Sequence, residues 1–169
     1  MATRSVRDLD CRGKRVLIRV DFNVPLDETG AILDDRRIEA ALPTIQHVLK
    51  GGGIAVVMSH FGRPAGKGFE QAYSLAPVAE RLQSLLGEAH LVHFVSRTCV
   101  GDAAVAAVAS ASAGEVVLLD NLRFEAGEKS NDATFGAALA SLGDAYVNDA
   151  FGTAHRAHAS MVAVPHAMP

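Results

Sequence analysis

Short apolar runs that empty into polar segments constrain this chain more than any other feature. Val16–Val20 passes into Asp21-Phe22-Asn23-Val24-Pro25, and Ile54–Met58 into Ser59-His60-Phe61-Gly62-Arg63-Pro64. Val116–Leu119 leads to Asp120-Asn121-Leu122-Arg123-Phe124-Glu125, and Ala145–Val147 to a segment from Asn148 to His158. Runs that are apolar on successive rather than alternate residues are the pattern of strands buried on both faces. In an open parallel sheet the carboxyl ends of the strands lie on one edge, where ligands bind. The four segments are therefore expected to converge on one site rich in Arg and His, a pocket for a small polyanion.

Helical stretches separate the runs. Ile38, Ala41, Leu42, Ile45, Val48 and Leu49 recur at helical spacing, and Gly51-Gly52-Gly53 stops that helix. Pro43 inside it predicts a break or a restart. Ser74 is an expected N-cap for a helix carrying Leu75, Val78, Leu82, Leu85 and Leu86, and Asp102 for an Ala/Val-rich helix. Asn131 or Asp132 is expected to cap a third, with Phe135, Ala138, Leu139 and Leu142. Leu91–Val95 reads as a further strand and Met161–Val164 as a short sixth one. Pro64–Tyr73 reads as an exposed, mobile loop. Alternation of strand and helix with right-handed crossovers gives an α/β fold: a three-layer α/β/α sandwich on a mostly parallel, Rossmann-like sheet of about six strands.

The 169 residues fit one domain, and 49% hydrophobic with 21% charged residues is ordinary for a globular protein. A formal net charge of −3 argues against a general nucleic-acid or membrane-surface binder, so the cationic segments form a local patch on a mildly acidic body. No apolar run approaches the ~20 residues that span a bilayer. Met1–Ser5 shows no apolar leader. Cys11 and Cys99 make neither a disulfide framework nor a zinc site; ordinary packing in a reducing cytoplasm is expected.

Arginine offers a planar fork of donors matched to carboxylate and phosphate oxygens, and it stays charged. Arg63, Arg123 and Arg156 fall at or beyond strand ends, and Arg37 opens the first helix. One such Arg is ordinarily a solvated surface group; four beside His60 and His155 weaken that reading. Asp21 and Asn23 suit hydrogen bonding to a hydroxyl, yet they equally suit an Asx turn that satisfies its own backbone. Other motifs fail. Gly62-Arg63-Pro64-Ala65-Gly66-Lys67-Gly68 lacks the spacing and the Ser/Thr of a phosphate-binding loop, no G-x-G-x-x-G follows a strand, and no G-x-S-x-G is present. His155 and His158 lack the Cys or carboxylate partners of a metal site, so no metal is assigned.

Five segments in this order carry a resemblance: Arg19 to Pro25 (RVDFNVP), Arg37 to Ile45 (RIEAALPTI), Ser59 to Pro64 (SHFGRP), Asn121 to Glu125 (NLRFE) and Asn148 to His158 (NDAFGTAHRAH). Together they resemble phosphoglycerate kinase over essentially the whole chain. Asp120 stands where Glu is more usual, and Phe61 where Leu is.

The resemblance implies that residues 1–169 are the N-terminal, substrate-binding domain, and that a C-terminal nucleotide-binding domain, which takes Mg-ADP or Mg-ATP, is not in this chain. Phosphoryl transfer between 1,3-bisphosphoglycerate and ADP would belong to the two halves together. By resemblance, Asp21 and Asn23 orient the substrate near C2. His60, Arg63, Arg123 and Arg156 clamp the 3-phosphate of 3-phosphoglycerate or 1,3-bisphosphoglycerate. Arg37 stabilises the phosphoryl in flight, and His155 supports the basic patch. The isolated chain is expected to bind 3-phosphoglycerate weakly and not to turn over. A stand-alone anion-binding module and a loosened folding fragment are the competing readings. Neither nucleic acid nor membrane is an expected partner.

Overall fold

The computed structural model describes residues 4–169; Met1–Thr3, part of the stretch read for a leader, lie outside the described residues. Five strands form one sheet: β1 (Arg15–Val20), β2 (Ile54–Met58), β3 (Val92–Val95), β4 (Val116–Leu119) and β5 (Ala145–Asp149). All pairings are parallel, in the order β3-β4-β2-β1-β5. β1 is flanked on both sides, with Val16 opposite Ala55 of β2 and Ala145 of β5.

Alternate residues of each strand feed two separate cores, which makes the three layers. Val16, Ile18, Val57 and Leu118 face α1 (Arg36–Lys50) and α2 (Ala76–Leu86), where Ile38, Ile45, Val48, Val78 and Leu82 are buried. Leu17, Val56, Val117 and Leu119 face α3 (Asp102–Ser110), α5 (Ala133–Ala140) and α6 (Ala163–Ala167); α4 is the single turn Ala126–Lys129. No helix among the described residues is long and apolar enough to cross a membrane.

Several sequence expectations need correction. Met161–Val164 is not a sixth strand: the chain turns there and enters α6. Pro165 cannot donate to a ladder, whereas the first turn of a helix tolerates it. α6 instead packs on α5 so closely that a Cβ on Gly136 would meet the Ala163 Cβ at 2.4 Å. Pro43 does not interrupt α1, which runs unbroken for 15 residues. Pro43 and Glu39, whose carbonyl loses its helical partner to the proline, are both exposed residues. Ser74 sits one residue ahead of the N-cap of α2; its Oγ accepts from the Ala76 amide at 3.2 Å. Asp102 is the first helical residue, and Gly101, with φ +89°, holds the cap. Asp132 does cap α5, accepting from the Phe135 amide at 2.7 Å. The segment Pro64–Tyr73 is docked rather than free. Lys67 bridges to Glu125, the Phe69 ring meets Phe124 edge-on at 5.4 Å, and the Arg97 guanidinium lies 4.3 Å from the Phe69 centroid.

Candidate anion site at the strand ends

The loops after β1, β2 and β4 are stitched together by side chains that cap one another's backbones. Ser59 Oγ accepts from the Phe22 amide at 2.9 Å and donates to the His60 carbonyl at 2.8 Å. Asn23 Oδ1 accepts the Gly62 amide at 3.0 Å, and the Gly62 carbonyl takes Arg123 Nη1 at 2.8 Å. Gly62 is left-handed, φ +60°, and Tyr73 fills the space a Cβ would need. Behind this loop Asn121 is fully buried and makes four side-chain bonds: Oδ1 takes the amides of Phe61 and Arg123, and Nδ2 gives to the carbonyls of Phe61 and Tyr73. Buried Asp120 accepts from the Leu75 and Asn121 amides, from the Arg97 amide and from Ser74 Oγ, joining α2 to β4.

These loops enclose a cavity of about 330 Å³. Asp21, Asn23, Arg37, His60, Arg63, Arg123 and Arg156 all line it, with Gly62, Gly152 and Thr153. A cavity of about 530 Å³ adjoins it, sharing Asn23 and Arg37. His155 is exposed and is not among the lining residues; His158, partly buried, has its pKa lowered first by burial and then by Arg123 and Arg156.

The charge in the cavity is unbalanced. Asp21 is its one lining carboxylate, and it is engaged: Oδ1 accepts Arg37 Nη1 at 3.2 Å and the Asn23 amide at 3.1 Å. Arg37 also donates to the Asn23 carbonyl at 2.8 Å, with its side chain 55% exposed. The Asx-turn reading holds for Asp21, and among the described residues the Asn23 amide nitrogen makes no hydrogen bond. Among the described residues the side chains of Arg63 and Arg156 make no hydrogen bond or ion pair with the protein. Arg123 Nε is buried without a partner. Burial first, then Arg156, lowers the Arg123 pKa. Guanidinium donors without acceptors, gathered around one cavity, suit an oxygen-rich anion.

His60 is neutral. Burial foremost, then Arg19, Arg123, Arg156 and His158, bring its pKa down to about 3. Its Nδ1 lies 2.9 Å from Arg19 Nη2. Arg19, Glu128 and Ser160 were missed by sequence reasoning, although all are buried behind the cavity. A signal existed for Arg19: a charge inside a strand buried on both faces must find partners.

The family model described as phosphoglycerate kinase matches residues 6–169. A phosphoglycerate kinase of Rhodopirellula baltica is 55% identical over 168 residues, covering 99% of this chain and 42% of the relative. One from Synechococcus elongatus is 55% identical over 97% of this chain and 40% of its own length. Among solved structures, phosphoglycerate kinase from Coxiella burnetii superposes with TM-score 0.80 at 37% identity, covering 95% of this chain and 39% of that one. The enzyme from Pyrococcus horikoshii gives 0.81 at 32%, covering 96% and 40%. The chain therefore spans about 40% of the length of the proteins it matches. A parallel sheet with a cationic strand-end cavity, matched over nearly its whole length by one family, places this chain in the phosphoglycerate kinase family.

Proposed function

We propose that residues 1–169 are the N-terminal, substrate-binding domain of a phosphoglycerate kinase and that the cavity takes 3-phosphoglycerate or 1,3-bisphosphoglycerate. One observation carries this reading: Arg63, Arg123 and Arg156 line a single cavity whose only carboxylate, Asp21, is already paired with Arg37. Three guanidiniums with unused donors match the three terminal oxygens of a phosphate monoester. His60 adds a neutral donor, and Asp21 and Asn23 face the substrate's hydroxyl end.

In the complete protein, the acyl phosphate of 1,3-bisphosphoglycerate would pass to the β-phosphate of ADP, breaking the acyl C–O–P linkage at phosphorus and leaving the carboxylate of 3-phosphoglycerate. Mg-ADP or Mg-ATP would occupy the C-terminal domain outside this chain. Phosphoryl transfer demands positioning and charge stabilisation more than covalent chemistry. Arg37, exposed and tethered at one Nη only, is the group available to the travelling phosphoryl. Domain closure over the site would exclude water. The chain alone supplies the clamp but no nucleotide site, so it binds without turning over. Two buried free thiols fit a reducing cytoplasm.

Calorimetric titration of 3-phosphoglycerate into the 169-residue chain, at low and at moderate salt, tests this. Saturable binding that weakens with salt and disappears in Arg63→Ala or Arg156→Ala supports the clamp. A folded chain that binds nothing overturns it, and ATP formation by the pure chain refutes the division of labour.

A further inference from the structure

Arg19 does not line the cavity, yet it is buried to 1% exposure one residue before the carboxyl end of β1, beside the cavity-lining His60. Every donor-bearing nitrogen of its guanidinium is engaged. Nε donates to Ser160 Oγ at 2.9 Å, Nη1 to the Val20 carbonyl, and Nη2 faces His60 Nδ1 at 2.9 Å. Ser160 Oγ in turn donates to Glu128 Oε1 at 2.6 Å, and Glu128 Oε2 accepts the Ser160 amide at 3.1 Å. The Tyr146 hydroxyl holds the Ser160 carbonyl at 2.8 Å. No direct ion pair joins Arg19 to Glu128; the serine hydroxyl stands between them.

Guanidinium has donors and no acceptor. The atom facing Nη2 must therefore be a lone pair, so His60 Nδ1 is unprotonated and the ring proton sits on Nε2. Nε2 has no hydrogen-bond partner in the protein and is not among the fully buried unpartnered atoms, while the ring lines the cavity. A second ring proton would face Arg19 from β1, Arg123 after β4, and Arg156 and His158 after β5, all cationic or able to become so.

We propose that Arg19 is a positioning residue: held by Val20 and the Ser160–Glu128 pair, it fixes His60 as the Nε2–H tautomer and so presents one neutral, oriented donor to the anion in the cavity. The anion-binding half of this statement rests on the function proposed above; the tautomer half does not. Donation from Arg19 also polarises the imidazole and strengthens its outward N–H. Lysine at this position keeps the charge but loses the fork, which separates orientation from electrostatics.

Long-range 1H–15N correlation spectra of the imidazole rings in the unliganded chain read the tautomer directly. His60 is assigned by its loss in His60→Gln. The expected spectrum has a pyridine-like Nδ1 and a pyrrole-like Nε2, unchanged from pH 8 to pH 5. A protonated Nδ1, or a ring that titrates as an ordinary histidine, overturns the proposal. Arg19→Lys is expected to mix the tautomers and to weaken inorganic phosphate binding about tenfold, as expected for loss of one charge-assisted donor. A folded Arg19→Lys chain that keeps a pure Nε2–H ring also overturns it. Should that variant not fold, Ser160→Ala, which removes the partner of Arg19 Nε and of Glu128 Oε1 but leaves both Nη groups of Arg19 engaged, takes its place with the same expected mixing, and an unmixed ring there counts against the proposal. A wild-type ring of the expected tautomer in a chain that binds no phosphate would sink the anion site while leaving the role of Arg19 standing.

Discussion

Asn121 grips the backbone of Phe61 at both of its polar groups, with Oδ1 accepting from its amide at 3.1 Å and Nδ2 donating to its carbonyl at 2.5 Å. Phe61 lies between His60 and Gly62, so this one amide side chain sets the path of the loop that carries the histidine. Asn121→Ala leaves two amides and two carbonyls without these partners inside the protein. The expected loss is about 2–4 kcal/mol, from several unsatisfied buried groups. Urea unfolding should show a lower midpoint with an unchanged slope. Asn121→Asp sets carboxylate oxygen against two carbonyls and is expected to lose at least as much. A midpoint within error of wild type for either variant contradicts this.

Gly62→Ala meets two obstacles. A left-handed non-glycine residue costs roughly 1–2 kcal/mol, and the new Cβ would fall 2.5 Å from Tyr73 Cδ1. The total loss should be about 2–4 kcal/mol. In a double-mutant cycle with Tyr73→Ala the steric share is recovered and the backbone share is not. Simple additivity would show that the ring is not the obstacle.

His60 has a native pKa near 3 against 6.5 unfolded. Above pH 6.5 neither state binds the proton, and the ring contributes no pH dependence. As pH falls below 6.5 the unfolded chain takes a proton the native ring refuses, so stability drops, with a slope approaching about 1.4 kcal/mol per pH unit from this ring. Glu128, whose pKa is raised chiefly by burial, acts with opposite sign, favouring the native state at low pH. The difference between wild type and His60→Gln isolates the histidine. Denaturant midpoints measured from pH 7 to pH 4 should fall more steeply for the wild type, and parallel curves would rule this out.

Cys99 is fully buried and its thiol is pushed well above the usual range by burial; Cys11 is shifted the same way for the same first reason. Both should react with a thiol reagent at neutral pH at least ~100-fold more slowly than a free cysteine, because reaction waits on opening of the fold. Stoichiometric labelling without denaturant would show that one of them is accessible.

Arg37→Ala in the full-length enzyme is expected to lower kcat by about 10²–10³, as for loss of one donor to transition-state charge, with little change in KM for the substrate. Equal effects on both constants would make Arg37 a ground-state binder.

The strands legible in the sequence were above all those whose apolar runs end in Asp21, Ser59 and Asp120, because burial on both faces leaves an unmistakable pattern; β5, only partly buried at the sheet edge, was legible as the short run Ala145–Val147. Most lining residues were legible because they follow strand ends, whereas Arg37 comes from the first turn of α1. Local rules failed where the deciding partner lay far along the chain. At the start of α2, Asp120, just after β4, holds the Leu75 amide, a partner 45 residues away that local rules do not see. Phe69 anchors a glycine-rich loop on a ring after β4. Arg19 was given no role from the sequence, and its partner Ser160 is distant along the chain. Met161–Val164 was too short to distinguish strand from helix by periodicity.

The place of β5 at the edge beside β1 bears on how the chain comes off the ribosome. Residues that pair with Val16 are supplied first by Ala55 and much later by Ala145. Until β5 emerges, β1 is an open edge, the Arg19 charge has no Ser160 to hold it, and the cavity lacks Arg156. A nascent chain paused before Ala145 therefore presents an unpaired strand to its neighbours. The hazard of sticking falls within synthesis, before the anion site is complete.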